Sequence, residues 1–223
     1  LKMHGGLPKS EINAENLPAL EKGLPNLLRH VSNMKNVYGL PVVVAVNRFP
    51  ADTDAEIALV IEKCKELGVN VRLSTVWAEG GKGGEELARE VVRLCECESD
   101  FRFAYDETAP VKEKIRAVVT KIYGGEDVAY TAEAEKQIAS LTELGFGGIP
   151  VCMAKTQYSF TDDAAKLGAP TGFTVTVRQV KVSAGAGFLV VLTGSIMTMP
   201  GLPKVPAAEK IDVDDSGKIV GLF

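Results

Sequence analysis

Two large aromatic residues stand directly after two strand-like runs of the chain. Phe49 lies in the string Asn47-Arg-Phe-Pro50, after residues 41–46, and Trp77 lies in Thr75-Val-Trp-Ala-Glu79, at the end of residues 69–76. If those runs are neighbouring parallel strands, both strings fall beyond their carboxyl ends, where open α/β sheets bind ligands. Two rings facing one another across a gap there would stack a flat heteroaromatic molecule. Trp77 is the only tryptophan, and packing against helices would account for it equally well. Its place in a loop is what favours binding.

Other constellations offer less. Gly80-Gly-Lys-Gly-Gly84 precedes a helix and could cradle a phosphate with backbone N–H groups and Lys82. It does not follow the Walker pattern G-x-x-x-x-G-K-S/T, and Glu85 and Glu86 oppose an anion at that helix start. A hinge or close-packing turn is the stronger reading. The run Lys155-Thr-Gln-Tyr-Ser159 follows another apolar stretch. There Lys155 and Gln157 could meet an anionic group or a heterocycle edge, or Ser159 or Thr161 could simply start a helix. His4 and His30 are the only histidines, and no Ser/His/Asp or Cys/His arrangement assembles around them. Cys64, Cys95, Cys97 and Cys152 lack zinc spacing and read as free thiols of a reducing cytoplasm, with no metal centre expected.

These residues need elements to hold them. Leu20, Leu24, Leu27, Leu28 and Val31 mark a helix from Leu17, which Asn33 and Asn36 end. Residues 41–46 read as a strand buried on both faces. Asp52-Thr-Asp54 caps a helix carrying Ile57, Val60, Ile61, Cys64 and Leu67, closed by Gly68. Residues 69–76 form a second strand, and a helix with Leu87, Val91 and Leu94 inward follows the glycines. This βαβα order implies a parallel, Rossmann-like lobe. Residues 98–109 read as a joint. Helices are expected near 111–122 and 133–144, the second with Ile138, Leu141 and Leu144 inward, and strands near 149–154, 172–182 and 188–192. The tail from Met199 ends in a short hairpin at Asp215-Ser-Gly217. The fold class is therefore α/β: a parallel βαβ lobe followed by a smaller α+β lobe with a mixed sheet.

Composition excludes several classes. With 25 basic and 29 acidic side chains, the formal charge of −4 offers no footprint for nucleic acid. No apolar run reaches the roughly 20 residues a membrane-spanning helix needs. A chain that opens Leu-Lys-Met-His-Gly-Gly reads as part of a longer protein.

Several strings together carry a resemblance. LKMHGG (1–6) resembles the end of a signature of formate–tetrahydrofolate ligases, approximately V-A-T-I/V-R-A-L-K-x-H-G-G. GLPVVVAVNRF (39–49), WAEGG (77–81), PVCMAKTQYS (150–159) and TGSIMTMPGLP (193–203) resemble the same family, in order along the whole chain. The resemblance implies ATP-dependent ligation of formate to tetrahydrofolate through formyl phosphate, giving 10-formyltetrahydrofolate. It implies ATP, magnesium, a monovalent cation and tetrahydrofolate as cofactors and substrates, and a homotetramer. It places the pterin between Phe49 and Trp77, with Pro50 and Leu73 beside them. Asn47, Arg48, Lys155 and Gln157 are weaker candidates for polar contacts. The family's P-loop belongs to an N-terminal domain, and no such motif occurs in these 223 residues. On this reading residues 1–38 are the helical tail of that nucleotide-binding domain, 39–99 the lobe of the folate cleft, and 100–223 the C-terminal lobe. The chain would then supply one wall of the folate cleft and be inactive alone. The alternatives are a nucleotide- or phosphate-binding module at Gly80–Gly84 and an oligomerisation domain.

Overall fold

The computed structural model describes residues 1–194, 196 and 205–221. Helix α1 spans Leu17–Ser32, capped by the Asn16 side chain, which accepts the Ala19 N–H at 2.9 Å. A wider helical turn, Asn33–Val37, prolongs it past the expected end. Asn33 is buried there and donates from Nδ2 to the Ile122 carbonyl at 2.8 Å, so it ties the two halves of the chain together.

Strand β1 (Val43–Asn47), helix α2 (Asp54–Glu66) and strand β2 (Asn70–Ser74) form the expected parallel unit, with Val44 opposite Val71 and Val46 opposite Leu73. Thr53 and Glu56 make a capping box at the start of α2. Leu20, Leu24 and Val31 of α1 pack with Val44, Val60, Cys64 and Val71 in one apolar cluster. Burying a side chain of this size contributes about 1.5–3 kcal/mol, so this face holds the lobe together. The other face departs from the expected double burial, since Ala45 is exposed. Among the described residues the sheet has two strands, and helix α4 (Glu85–Cys95) leans mainly on β2.

Residues 75 and 76 leave the strand predicted to include them. The Thr75 N–H bonds to the Gly83 carbonyl at 3.0 Å, which pulls the chain off the sheet into a single turn, α3 (Val76–Glu79). Val91 of α4 is 44% exposed rather than inward. The helix is anchored instead by Glu90, whose carboxylate accepts from Arg93 at 2.6 Å, Asn70 at 2.8 Å and Arg72 at 3.1 Å. The Arg93 and Asn70 hydrogen bonds outweigh burial and push the Glu90 carboxyl down to about 2. A carboxyl lowered on folding adds stability that is full above its ordinary value of 4.5 and lost as pH falls through about 2. Glu90→Gln should therefore lower the melting temperature at pH 7 and have little effect near pH 2. Equal losses at both pH values would refute the assignment.

The second half contains α5 (Val111–Ala117), prolonged by a wide turn to Tyr123, and α6 (Ala132–Glu143). A mixed four-stranded sheet runs in the order β3 (Asp127–Tyr130), β5 (Thr174–Ser183), β6 (Phe188–Thr193), β4 (Val151–Ala154). β5 and β6 pair antiparallel, while the flanking strands are parallel to their neighbours. β3 has no counterpart in the sequence reading. A register shift between Val177 and Gln179 explains the broken valine alternation of β5. It lets Val175, Val177 and Val180 all point into the core, each 2% exposed or less. Leu144 is 68% exposed at the end of α6, not inward, because the helix ends there and Gly145 turns away at φ 89°. The hairpin of the tail is present as β7 (Asp212–Val213) and β8 (Ile219–Val220). The string 193–203 lies mostly outside the described residues.

One buried cation stiffens this half. Lys114 is fully buried and donates to the carbonyls of Gly148 at 2.8 Å and Ile149 at 3.0 Å, closing the turn that enters β4. Burial lowers its pKa.

Candidate functional site

The two aromatic loops meet at the carboxyl end of the β1–β2 pair. The Arg48 N–H bonds to the Ser74 carbonyl at 3.0 Å and extends the ladder one step beyond β1. The chain then reverses: the Asp52 N–H bonds to the Phe49 carbonyl at 3.0 Å, and the Asp52 carboxylate accepts the Phe49 N–H at 2.8 Å. This closed turn fixes where the Phe49 ring stands. Across from it, α3 carries Trp77. The two ring centroids are 6.5 Å apart, with planes inclined at 51°. Phe49 is 47% exposed and Trp77 66%, so neither ring is a core residue. A flat ring stacked between parallel walls needs about 7 Å, twice the contact distance of carbon atoms. The two rings, inclined at 51°, would have to turn toward parallel to open that space.

Phe49 also walls a cleft of about 380 Å³ that runs beside β1 between α1 and α2. Its lining is mostly apolar, including Leu20, Leu27, Val46 and Ile57, with Lys2, Asn47, Asp52 and Glu56 as the polar groups. That is the make-up of a small-molecule site. Lys2 and Glu56 form a buried pair at 2.8 Å, with side chains 10% and 6% exposed. Lys2 also reaches the Ala14 carbonyl, and Glu56 accepts the Asn16 N–H at 2.9 Å. Burial would raise the Glu56 carboxyl, but Lys2 and the Asn16 and Thr53 amides prevail and hold it below its usual range.

The structure brings some of the predicted residues to this cleft and leaves others apart. Asn47 and Phe49 line it, and Trp77 stands opposite Phe49. Pro50 is exposed beside Phe49. Arg48 turns outward to Asp54 at 2.8 Å. Leu73 lines a separate hollow with Thr75 and Lys82. Lys155 bends back on its own loop, donating to the carbonyls of Thr156 and Ser159, with its ammonium 5.1 Å from the Tyr123 ring. Gln157 is exposed, and no helix starts at Ser159 or Thr161. Their hydroxyls instead cap the turn that leads to Lys166. His4 accepts the Gly168 N–H at 3.2 Å, and His30 packs 4.6 Å from the Phe160 ring.

Lys2, Asp52 and Glu56 are the site groups that the sequence reading did not single out. The capping-box spacing of Thr53 and Glu56 was available, but it signals a helix start and nothing of a cleft. Lys2 meets Glu56 across 54 positions of sequence, which no local pattern reports.

The glycine turn Gly80–Gly84 is a tight one. A Cβ on Gly83 would lie 2.5 Å from the Thr75 carbonyl carbon, whereas Lys82 is exposed. Gly83→Ala should therefore shift α3, lower the melting temperature and disturb Trp77 fluorescence, while Lys82→Ala leaves both unchanged. Loss of ligand binding in Lys82→Ala would revive the phosphate-cradle reading. Among the described residues no group of three or more His, Cys, Asp or Glu side chains could hold a metal ion. Nor does the sequence carry a Walker lysine–hydroxyl pair.

A parallel βαβ unit with an exposed aromatic pair at its carboxyl end and an apolar cleft beside β1 defines an α/β protein whose candidate site lies where open sheets of this class bind ligands. The family model described as formate–tetrahydrofolate ligase matches residues 1–223, and the chain belongs to that family. The family joins formate to tetrahydrofolate at the expense of ATP.

Proposed function

We propose that this chain supplies the folate wall of the ligase, with the pterin stacked between Phe49 and Trp77 and its neighbouring groups in the cleft beside β1. The observation that carries this reading is the pair of half-exposed rings 6.5 Å apart at the ends of adjacent parallel strands. Pro50 flanks the stack, and Asn47 offers an amide to the ligand edge. Leu73, Arg48, Lys155 and Gln157 have secondary places in this reading, since each lies off the cleft or is held by other groups.

Nucleotide and magnesium belong, in this proposal, to a P-loop domain that precedes residue 1. Residues 1–38 are its tail, docked on the 39–99 lobe through α1, and 100–223 form the C-terminal lobe. A monovalent cation, formyl phosphate as intermediate, homotetrameric assembly and a cytoplasmic location complete the reading. The free thiols Cys64, Cys95, Cys97 and Cys152 agree with a reducing compartment. Phosphoryl transfer depends on positioning and charge stabilisation, which P-loop and metal supply. The isolated chain is therefore expected to bind folate without catalysing ligation.

The test uses Trp77 as its own probe. Tetrahydrofolate, titrated under reducing conditions, should quench the tryptophan emission saturably, and the quenching should weaken in Phe49→Ala. The same titration on the complete polypeptide guards against a cleft that needs its neighbouring domain to form. Absence of saturable quenching there would refute the clamp. Formate- and folate-dependent ATP turnover by the isolated chain would refute the division of labour.

A further inference from the structure

Stacking between two rings holds a flat molecule but does not read its edge. The cleft carries two carboxylates, and they differ in what they have free. Glu56 is engaged by the Lys2 ammonium and by the Asn16 and Thr53 amides. Asp52 gives one oxygen, Oδ2, to the Phe49 N–H at 2.8 Å, and its Oδ1 has no hydrogen-bond partner among the described residues. Asp52 is half-buried and lines the same cleft as Phe49. One turn of chain therefore presents both a stacking face and, three residues on, a carboxylate acceptor held by the backbone of the stacking residue.

We propose that Asp52 is a specificity-determining residue, which accepts hydrogen bonds from the ring N–H and exocyclic amine of a 2-amino-4-oxopyrimidine edge. That edge offers two donors side by side, and an ionised carboxylate is the side chain with acceptors alone. Charge-assisted bonds of this kind are the stronger ones, and they are oriented. The bond from the Phe49 N–H keeps the carboxylate from rotating away, so little ordering is left to occur on binding. An edge without the amine loses one partner, and one that presents acceptors is repelled. The inference rests on the clamp reading above and adds to it the recognition of the pterin.

The experiment compares tetrahydrofolate with a 2-desamino analogue by equilibrium binding to the complete polypeptide. The parent protein should bind the analogue roughly tenfold to hundredfold more weakly, the range for hydrogen bonds to a charged group. Asp52→Asn keeps an acceptor for the Phe49 N–H but turns a donor toward the ligand edge. It should weaken tetrahydrofolate by a similar factor and leave the analogue within about twofold. Equal affinity of the parent for both ligands would overturn the proposal without any variant. So would an Asp52→Asn protein that lost both ligands equally, or neither, while Phe49→Ala still weakened binding. Unchanged tetrahydrofolate affinity in both Phe49→Ala and Trp77→Ala would remove the clamp itself, and the proposal with it.

Discussion

Trp77→Ala is expected to weaken tetrahydrofolate binding roughly tenfold to hundredfold, the loss of one stacked face at about 1–3 kcal/mol. The change should cost almost no stability. Trp77 is 66% exposed on a single helical turn, and surface substitutions away from special features stay within about 0.5 kcal/mol. Phe49→Ala should weaken binding to a similar extent. Its backbone turn is held by Asp52 through main-chain groups, which the substitution leaves in place. Trp77→Phe keeps a π face and should recover most of the affinity. The double alanine variant should lose less than the sum, because a ring with one wall removed is already free to tilt. Calorimetric titration with melting curves on the same samples separates the two outcomes. A Trp77→Ala protein that melts earlier and binds unchanged would make the residue structural.

Much of this was legible in the sequence, for reasons that differ from element to element. The β-branched run 41–46 and the capped, period-3.6 stretch after Asp52 are strong local signals, and their alternation forces a parallel pair. That pair alone places Phe49 and Trp77 near one another, because each follows its strand within a few residues. The failures are places where a distant contact prevails over local pattern. The strand reading runs on through Val76, yet the Gly83 carbonyl captures the Thr75 N–H and ends the strand first. Asp127–Tyr130 is a four-residue strand that opens on two acidic residues, Glu126 and Asp127, and its pairing with β5 is what makes it one. Val91 fits the inward period of α4, but a buried Glu90 ion cluster sets the rotation of that helix instead. Lys155 follows a strand's carboxyl end as a ligand would, and Tyr123 and two loop carbonyls hold it elsewhere. Position along the chain indicated the candidate site. Only the fold showed which polar groups were already occupied.

The largest stability effect is expected at the floor of the cleft, from Glu56→Gln. Lys2 and Glu56 are both nearly excluded from water, and each satisfies the other at 2.8 Å. Removing one charge of a buried pair leaves the other uncompensated and costs about 3–5 kcal/mol. In a chain of this size that lowers the melting temperature by roughly 6–20 °C. Lys2→Met should cost less than Glu56→Gln, because the remaining carboxylate still accepts the Asn16 and Thr53 amides. The double variant, Lys2→Met with Glu56→Gln, should recover part of the loss, since no buried charge remains. Acid gives an independent check with a definite sign. The Glu56 carboxyl is held below its ordinary value of 4.5, so its contribution is full above that pH and declines as pH falls through the lowered value. The destabilisation by Glu56→Gln should therefore shrink in acid. Denaturant titrations of the four proteins at pH 7 and in acid measure all of these terms. A loss under about 1 kcal/mol at pH 7 would mean that water reaches the pair, in the range of surface ion pairs. A full loss would instead make this ion pair a fixed floor of the cleft, so Glu56→Gln should also weaken tetrahydrofolate binding without touching either stacking ring.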